Sequence, residues 1–242
     1  MKFDSLDSTN SFAESLITKT GPPEGTAIIA DYQTDGKGQF GRKWLSEAGQ
    51  NLTFSLILYP KFLLPEEGFL LNVLVSLSLV EVLDLQNIAG SSIKWPNDIV
   101  YDEGKLGGII IKTSIQKKAI QSAVIGIGLN VNQIKFPNDT GNPVSMKSIV
   151  GQDFIRDDVF SKICRQIEDN YILLLNGDKK PLLDKYNFRL KSRGKDVMAI
   201  LLDEKTIRGR LKRIDMDGKI VLTIEGKEKT FCYPDIRLLT KR

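Results

Sequence analysis

The segment Phe69 to Leu85 constrains the fold most. It is the longest apolar stretch of the chain, and Pro65-Glu66-Glu67 in front of it makes a helix start, because proline is pre-set for a first helical turn. The pattern predicts a helix to about Gln86. A membrane span needs roughly twenty mostly uninterrupted apolar residues. Here Asn72, Ser76, Ser78, Glu81 and Asp84 break the run, so the segment reads as a helix buried inside a protein. Other elements must then enclose it.

The rest of the chain supplies them. A helical pattern through about Lys19 follows Ser8-Thr9-Asn10-Ser11, and Ser11 and Glu14 have capping-box spacing. Gly25 to Tyr32 reads as a strand. Asn51 to Tyr59 alternates, with Leu52, Phe54, Leu56 and Leu58 on one face. Short strands are predicted at Ile93–Trp95, Ile99–Tyr101, Leu106–Ser114 and Ala119–Val131. Gln133 to Asn142 is polar and reads as an exposed loop. Helices are predicted over Asp157–Asn176 and Pro181–Leu190. From Lys195 the character changes: Val197–Leu202, Thr206–Arg213, Ile220–Ile224 and Lys229–Tyr233 are β-type runs separated by turns, which suggests a small antiparallel barrel. Strands that follow one another without helices between them predict an α+β fold. It would be a mixed sheet with packed helices over 1–192 and a small β module over 193–242.

Composition narrows the chemistry. Among 242 residues, 41% are hydrophobic and 26% charged, with a net charge of +4 and no long basic run. This is ordinary globular composition, with little support for nucleic-acid binding. The N-terminus, with Lys2, Asp4 and Asp7, lacks a signal-peptide pattern. Cys164 and Cys232 stand far apart, which fits a reduced, cytoplasmic setting. Histidine is absent. That excludes Ser/His and Cys/His nucleophilic pairs and histidine-bound zinc. Lysine, arginine, carboxylates, amides and backbone groups remain, and they suit reactions run by positioning and charge neutralisation.

Five short stretches carry such groups. In Gly36-Lys37-Gly38-Gln39-Phe40-Gly41-Arg42-Lys43-Trp44, glycines let backbone N–H groups approach an anion. Lys37 and Arg42 add charge, and Trp44 offers a flat face. A plain surface turn is the alternative. In Lys94-Trp95-Pro96-Asn97-Asp98, Pro96 ends a strand. Asn97 there suits an adenine edge or a phosphate oxygen and Asp98 suits Mg²⁺, or both simply bond to nearby backbone. Lys105 opens Leu106-Gly107-Gly108-Ile109, whose glycines allow close approach to the strand; a hairpin with a solvated lysine reads equally. Gly126-x-Gly128-x-Asn130 lacks the third glycine of a dinucleotide fingerprint, but Asn130 can point into a pocket or stay within the sheet. Ser8-Thr9-Asn10 can meet a polar head group or only cap a helix.

Taken in order, Leu6–Asn10, Tyr32–Trp44, Asn51-Leu52, Lys94–Asp98, Lys105–Ile109 and Gly126–Val131 resemble the biotin protein ligase family over about residues 6 to 132. The β module from Lys195 resembles that family's C-terminal SH3-like domain. The resemblance implies an ATP-dependent enzyme that makes biotinyl-5′-adenylate, releases pyrophosphate, and transfers biotin to a lysine of a biotin carboxyl carrier domain. It implies Ser8, Thr9, Asn10 and Gln33 at the ureido ring, and Gly36, Lys37, Gly38, Gln39 and Gly108 along the biotin. It further implies Lys105, Lys37 and Arg42 as the catalytic cations, Trp44, Asn97, Asn130 and Arg42 around ATP, and Asp98 at Mg²⁺. In the transfer step the adenylate or Asp98 would accept the lysine's proton. Only five residues precede Leu6, so no DNA-binding helix-turn-helix and no operator binding is expected. Neither nucleic acid nor membrane is expected as a partner. The chain would be a monomer or a homodimer, with Leu106–Ser114 as a possible pairing edge.

Two other readings share part of this pattern. A lipoate or octanoate ligase or transferase would carry Arg-Arg-x-x-Gly-Gly-Gly and histidine motifs, which this chain lacks. A non-catalytic biotin- or nucleotide-binding module would need neither Lys105 nor the cationic loop. The chain also departs from the family's usual Gly-Arg-Gly-Arg. Lys37 keeps charge without the bidentate fork, and Gln39 loses it. Gln39→Arg is therefore expected to lower labelling of a bystander protein by escaped adenylate. Equal labelling by both forms, at a level no higher than an arginine-bearing relative gives, counts against this.

Overall fold

The computed structural model describes residues 1–137 and 142–239. The larger sheet is built from β1 (Lys2–Leu6), β2 (Ala27–Gln33), β3 (Leu52–Leu58), β4 (Ser92–Lys94), β5 (Asp98–Tyr101), β6 (Gly104–Gln116) and β7 (Ala119–Leu129). Their order is β1-β2-β3-β7-β6-β5-β4. β1 and β2 are parallel and the other neighbours antiparallel, so the sheet is mixed and the fold is α+β.

Among the described residues five helices accompany it: α1 (Thr9–Thr20), α2 (Phe69–Leu85), α3 (Met146–Val150), α4 (Arg156–Leu175) and α5 (Lys179–Phe188). The apolar segment is α2. Together with the turn before it, over Pro65–Leu85, it is long and apolar enough to cross a bilayer, yet 72% of its most apolar window is buried. It lies against α4, α5 and strands β4 to β6. One face of the sheet joins that core through Leu52, Phe54, Leu56, Ile109, Ile125 and Ile127. On the other face, Ile28, Ile57 and Val124 pack on Ala13 of α1. This is why β3 is buried along its whole length, where alternation alone marks only one covered face.

A second sheet follows: β8 (Asp196–Leu201), β9 (Thr206–Ile214), β10 (Ile220–Ile224), β11 (Lys227–Phe231) and β12 (Ile236–Leu238), in the order β11-β10-β9-β8-β12 and antiparallel throughout. It is barrel-like, and Ala199, Leu211, Ile220, Leu222 and Ile236 are its buried residues. Asn187 at the end of α5 ties it down. Its Nδ2 donates to the Ile214 carbonyl at 2.9 Å, and its Oδ1 accepts from the Ile214 N–H at 2.7 Å.

Several expectations change. The capping box of Ser11 and Glu14 does not form. The helix starts earlier, at Thr9, whose N–H donates to Gln33 Oε1 at 2.7 Å, while Glu14 pairs with Lys112 at 2.7 Å. A long-range glutamine thus satisfies the helix end that a local cap was expected to satisfy. The loop Gln133–Asn142 is not simply exposed: Gln133 is buried, and its Oε1 accepts from Asn51 Nδ2 and the Glu47 N–H. Residues 138–141 of that loop lie outside the described residues. The strand Leu106–Ser114 is not an edge throughout, because β5 covers β6 from Gly104 to Gly108. β1, α3 and β12 were not anticipated; they are short, and β1 and β12 are held by neighbours distant in sequence.

Asn187→Ala is expected to leave the buried N–H and carbonyl of Ile214 without partners, at roughly 1–3 kcal/mol each. Denaturant unfolding that gives a loss under about 0.5 kcal/mol would contradict this role.

Candidate active site

The cleft follows from small residues placed side by side on one sheet face. Strand register puts Thr53 opposite Gly128 and Gly128 opposite Gly108, and in the next row Ser55 opposite Gly126 and Gly126 opposite Ile110. Two rows of glycines and short polar side chains make a low floor beside α1. The cleft above it has about 460 Å³ of empty space, part of it open to solvent. The opposite sheet face at the same strand positions carries Phe54, Ile127 and Ile109, which belong to the core.

One end of the cleft is polar and uncharged. Asn10 stands so close to the floor that a Cβ on Gly126 would lie 2.1 Å from Asn10 Oδ1. Ser55 Oγ donates to that oxygen and lies 2.8 Å from Thr9 Oγ1. Thr9 Oγ1 in turn donates to Gln33 Oε1 at 3.1 Å. With its oxygen fixed, Asn10 turns Nδ2 away, and this buried donor has no partner. Ser8, buried at the N-terminus of α1, makes no side-chain cap. Buried polar groups are nearly always satisfied, so an unmatched donor here points to a ligand acceptor.

Trp44 forms the roof. Gly36 to Trp44 is a small hairpin: the Trp44 N–H donates to the Gly36 carbonyl at 2.8 Å and the Gly38 N–H to the Arg42 carbonyl at 2.7 Å. A short 3₁₀ turn, Gln39–Gly41, forms its tip. Gly36 is required, since a Cβ there would lie 2.4 Å from the Trp44 carbonyl oxygen. The indole rests on Gly128, where a Cβ would be 2.4 Å from Trp44 Cε2. Its Nε1–H is a second buried donor without a partner.

The other end is cationic. Lys105 Nζ lies 2.7 Å from Asp98 Oδ1 and 5.9 Å from the centroid of Trp44. Lys37 Nζ donates to Ser11 Oγ at 2.6 Å, so it reaches back across the cleft to α1. Lys94 is the register partner of Asp98. Burial pushes its pKa down, the Asp98 charge opposes this, and Lys191 and Lys105 add to the lowering. Arg42 is exposed beside the tip of the hairpin.

The structure thus brings Ser8, Thr9, Asn10, Gln33, Lys37, Gly38, Gln39, Trp44, Asn97, Lys105 and Gly108 to one cleft. Asn97 is held there by its own Nδ2, which donates to the Ile109 carbonyl at 2.8 Å. Asn130 stands behind Lys105 instead, with Nδ2 donating to the Val144 carbonyl at 3.0 Å and to that of Lys105 at 3.3 Å. Asp98 is held by Lys105, and no group of three or more acidic, cysteine or histidine residues is available for a metal among the described residues. A single paired carboxylate does not make a protein cage for Mg²⁺, an ion that keeps several waters and binds through phosphates. Sequence reasoning missed Thr53, Ser55 and Lys94. The alternation in β3 carried the first two, on the face opposite its leucines, and Lys94 sat in a motif where only Asn97 and Asp98 drew attention.

The chain belongs to the biotin/lipoate A/B protein ligase family, whose sequence pattern matches residues 2–130. Within it the kinship is with biotin ligases. The chain is 31% identical over 241 residues to the bifunctional ligase/repressor BirA of Bacillus subtilis, covering 97% of this chain and 72% of that protein. It is 34% identical over 131 residues to the biotin-acetyl-CoA-carboxylase ligase of Paracoccus denitrificans, covering 52% and 51%. Among solved structures, the biotin protein ligase from Aquifex aeolicus in complex with biotin and ATP superposes with a TM-score of 0.84 at 28% identity, over 100% of this chain and 98% of that one.

Gly126→Ala tests the floor. The new methyl would drive Asn10 from its place, at about 1–3 kcal/mol for overpacking. Unaltered stability in chemical unfolding would mean that the floor is not tightly packed against α1.

Proposed function

We propose that the chain is an ATP-dependent biotin–protein ligase in which each end of the cleft takes one end of biotin. The observation that carries this is polarity: an unmatched neutral donor, Asn10 Nδ2, among uncharged polar groups at one end, paired and clustered cations at the other. Biotin has the same division, an uncharged ureido ring and a carboxylate tail. Asn10 Nδ2 is placed to donate to the ureido oxygen. Ser8, Thr9 and Gln33 complete that end, and Trp44 covers the rings.

The carboxylate is already ionised, so no histidine is needed. One of its oxygens bonds to the α-phosphorus of ATP, the bond from that phosphorus to the bridging oxygen breaks, and pyrophosphate leaves. Two anions must meet for this, and Lys105, Lys37 and Arg42 neutralise them. Fixed positive charge aimed at a developing anion is a large catalytic term. Asn97 and Trp44 line the path of the nucleotide, and Asn130 supports Lys105 from behind. Mg²⁺ would enter with ATP as part of the substrate, and Asp98 would be the carboxylate to meet it. In the second step a lysine ε-amine bonds to the acyl carbon, the bond from that carbon to the phosphate oxygen breaks, AMP departs with the electron pair, and the amine proton passes to the departing phosphate or to Asp98.

The acceptor on this reading is a biotin carboxyl carrier domain, encountered in the cytoplasm. Residues 1–192 would hold the catalytic unit and 193–242 the SH3-like module. The neutral donors favour biotin over lipoate, whose dithiolane ring offers no hydrogen-bonding oxygen or nitrogen.

Biotin-dependent ATP–pyrophosphate exchange is the expected activity, and Lys105→Ala should lower it about 10²- to 10³-fold, the range for loss of one preorganised stabilising group. Biotin binding without exchange in the intact protein would instead support a binding module.

A further inference from the structure

Ser11 and Glu14 have the spacing of a cap that does not form, and each holds a lysine from another element instead. Lys37 Nζ of the hairpin donates to Ser11 Oγ at 2.6 Å, and Lys112 Nζ of β6 lies 2.7 Å from Glu14 Oε1. Residues three apart are neighbours on a helix surface, so both lysines meet one stripe of α1. The second contact is ionic: Glu14 Oε1 is shielded from solvent and makes no aligned hydrogen bond. The two side chains as a whole remain 46% and 40% exposed.

The rows of the floor place these contacts. Asn10 stands over Gly126, in the row Ser55, Gly126, Ile110. Side chains alternate along a strand, so the next row on the same face is Ile57, Val124, Lys112. Ala13 packs on Ile57 and Val124, and Glu14 reaches Lys112. Asn10, Ala13 and Glu14 share one face of α1, at i, i+3 and i+4. The turn that aims Asn10 is therefore anchored one row farther along. Its two anchors differ in kind. Over β2, β3 and β7, α1 is packed. Towards β6 the tie between side chains is Glu14 to Lys112, and β5 covers β6 only from Gly104 to Gly108. Beyond that point no further strand closes this flank among the described residues.

Resting on the ligase reading, we propose that Glu14 and Lys112 are positioning residues for recognition of the biotin ring: with Ser11 and Lys37 they clasp the open flank of α1 to the floor and so fix the distance from Asn10 Nδ2 to the ureido oxygen. Neither Glu14 nor Lys112 lines the cleft, so both act through the helix. Asn10 cannot correct for a lifted helix by turning, because its Oδ1 is held by Ser55 Oγ. A hydrogen bond weakens steeply as its geometry worsens, so a small movement of α1 is felt at the ureido group. A partly exposed ion pair is a weak tie, and its loss loosens that flank of α1 while the apolar anchor under Ala13 keeps the helix in place.

The test is competitive calorimetry on the full chain with three ligands: biotin, desthiobiotin, which keeps the ureido ring without the thioether, and lipoate, which lacks the ureido group. Binding of biotin by the unaltered chain tests the ligase reading; the ratio between ligands in the variants tests the clasp. Lys112→Ala and Glu14→Ala should each weaken biotin and desthiobiotin alike, by about two- to fivefold, the range a partly exposed pair supports. Lipoate affinity should not change, so the preference for biotin over lipoate should fall by the same factor. The exchanged pair, Glu14→Lys with Lys112→Glu, should return biotin affinity to within about twofold of the unaltered chain. Unchanged biotin affinity in both single variants overturns the proposal. An equal loss for all three ligands also overturns it, since that marks a general effect on the cleft, as does an exchanged pair no better than the single variants. Failure of the unaltered chain to bind biotin would overturn the ligase reading itself.

Discussion

Everything in this site depends on how closely α1 and the Trp44 hairpin can approach the central sheet. Gly126 and Gly128 set that distance, with Gly108 beside them at ordinary contact distance from the indole. A methyl group on either of the first two would fall 2.1 to 2.4 Å from a heavy atom of Asn10 or Trp44, far inside any van der Waals contact. Without side chains there, Asn10 is pressed to the floor with its oxygen bound and its nitrogen free to donate, and the indole lies flat over the strand. Glycine weakens a strand by leaving nothing to pack. Here the same strands carry Ile109, Ile125 and Ile127 on their other face, against α2 and its neighbours. The buried helix thus offsets on one face what the cleft removes from the other.

Charge is handled with comparable economy. Several lysines converge on one end of the cleft, and like charges at that spacing repel one another and lose solvation. Asp98 answers both problems. It is bonded to Lys105 and is the register partner of Lys94, so it holds the cations in place while no anionic ligand is present. On the proposed reading, an incoming triphosphate or carboxylate would meet side chains that are already arranged, with little reorganisation left for the moment of reaction.

Much of this was legible in the sequence. The apolar stretch at Phe69 had to be an enclosed helix, strands following strands required an α+β sheet, and Lys37, Lys105 and Asn97 stood in motifs that the structure brings to one cleft. What escaped was long-range. Gln33 caps a helix 24 residues earlier in the chain, so the local capping signal at Ser11 misled. Gln133 is polar by type and buried through Asn51. Asn130 looked like a pocket residue because its strand ends near the cleft; its amide in fact holds the backbone under Lys105. Thr53 and Ser55 were hidden by the stronger leucine pattern of the same strand, since alternation reports the face that faces the core and is silent on what the other face does.

The central claim is that the glycine-floored end recognises an uncharged, hydrogen-bonding ring. Competitive calorimetry with biotin and lipoate tests it most directly, because both ligands carry an apolar tail ending in a carboxylate and differ at the head. A site built to hydrogen-bond its ligand rejects an analogue that lacks those groups, since its own buried polar atoms are left unpaired. Biotin is predicted to bind at least about a hundredfold more tightly than lipoate, corresponding to two such unpaired groups at 1–3 kcal/mol each. Equal affinity for the two would contradict the account, because it would mean that Asn10 and its neighbours do not read the head of the ligand.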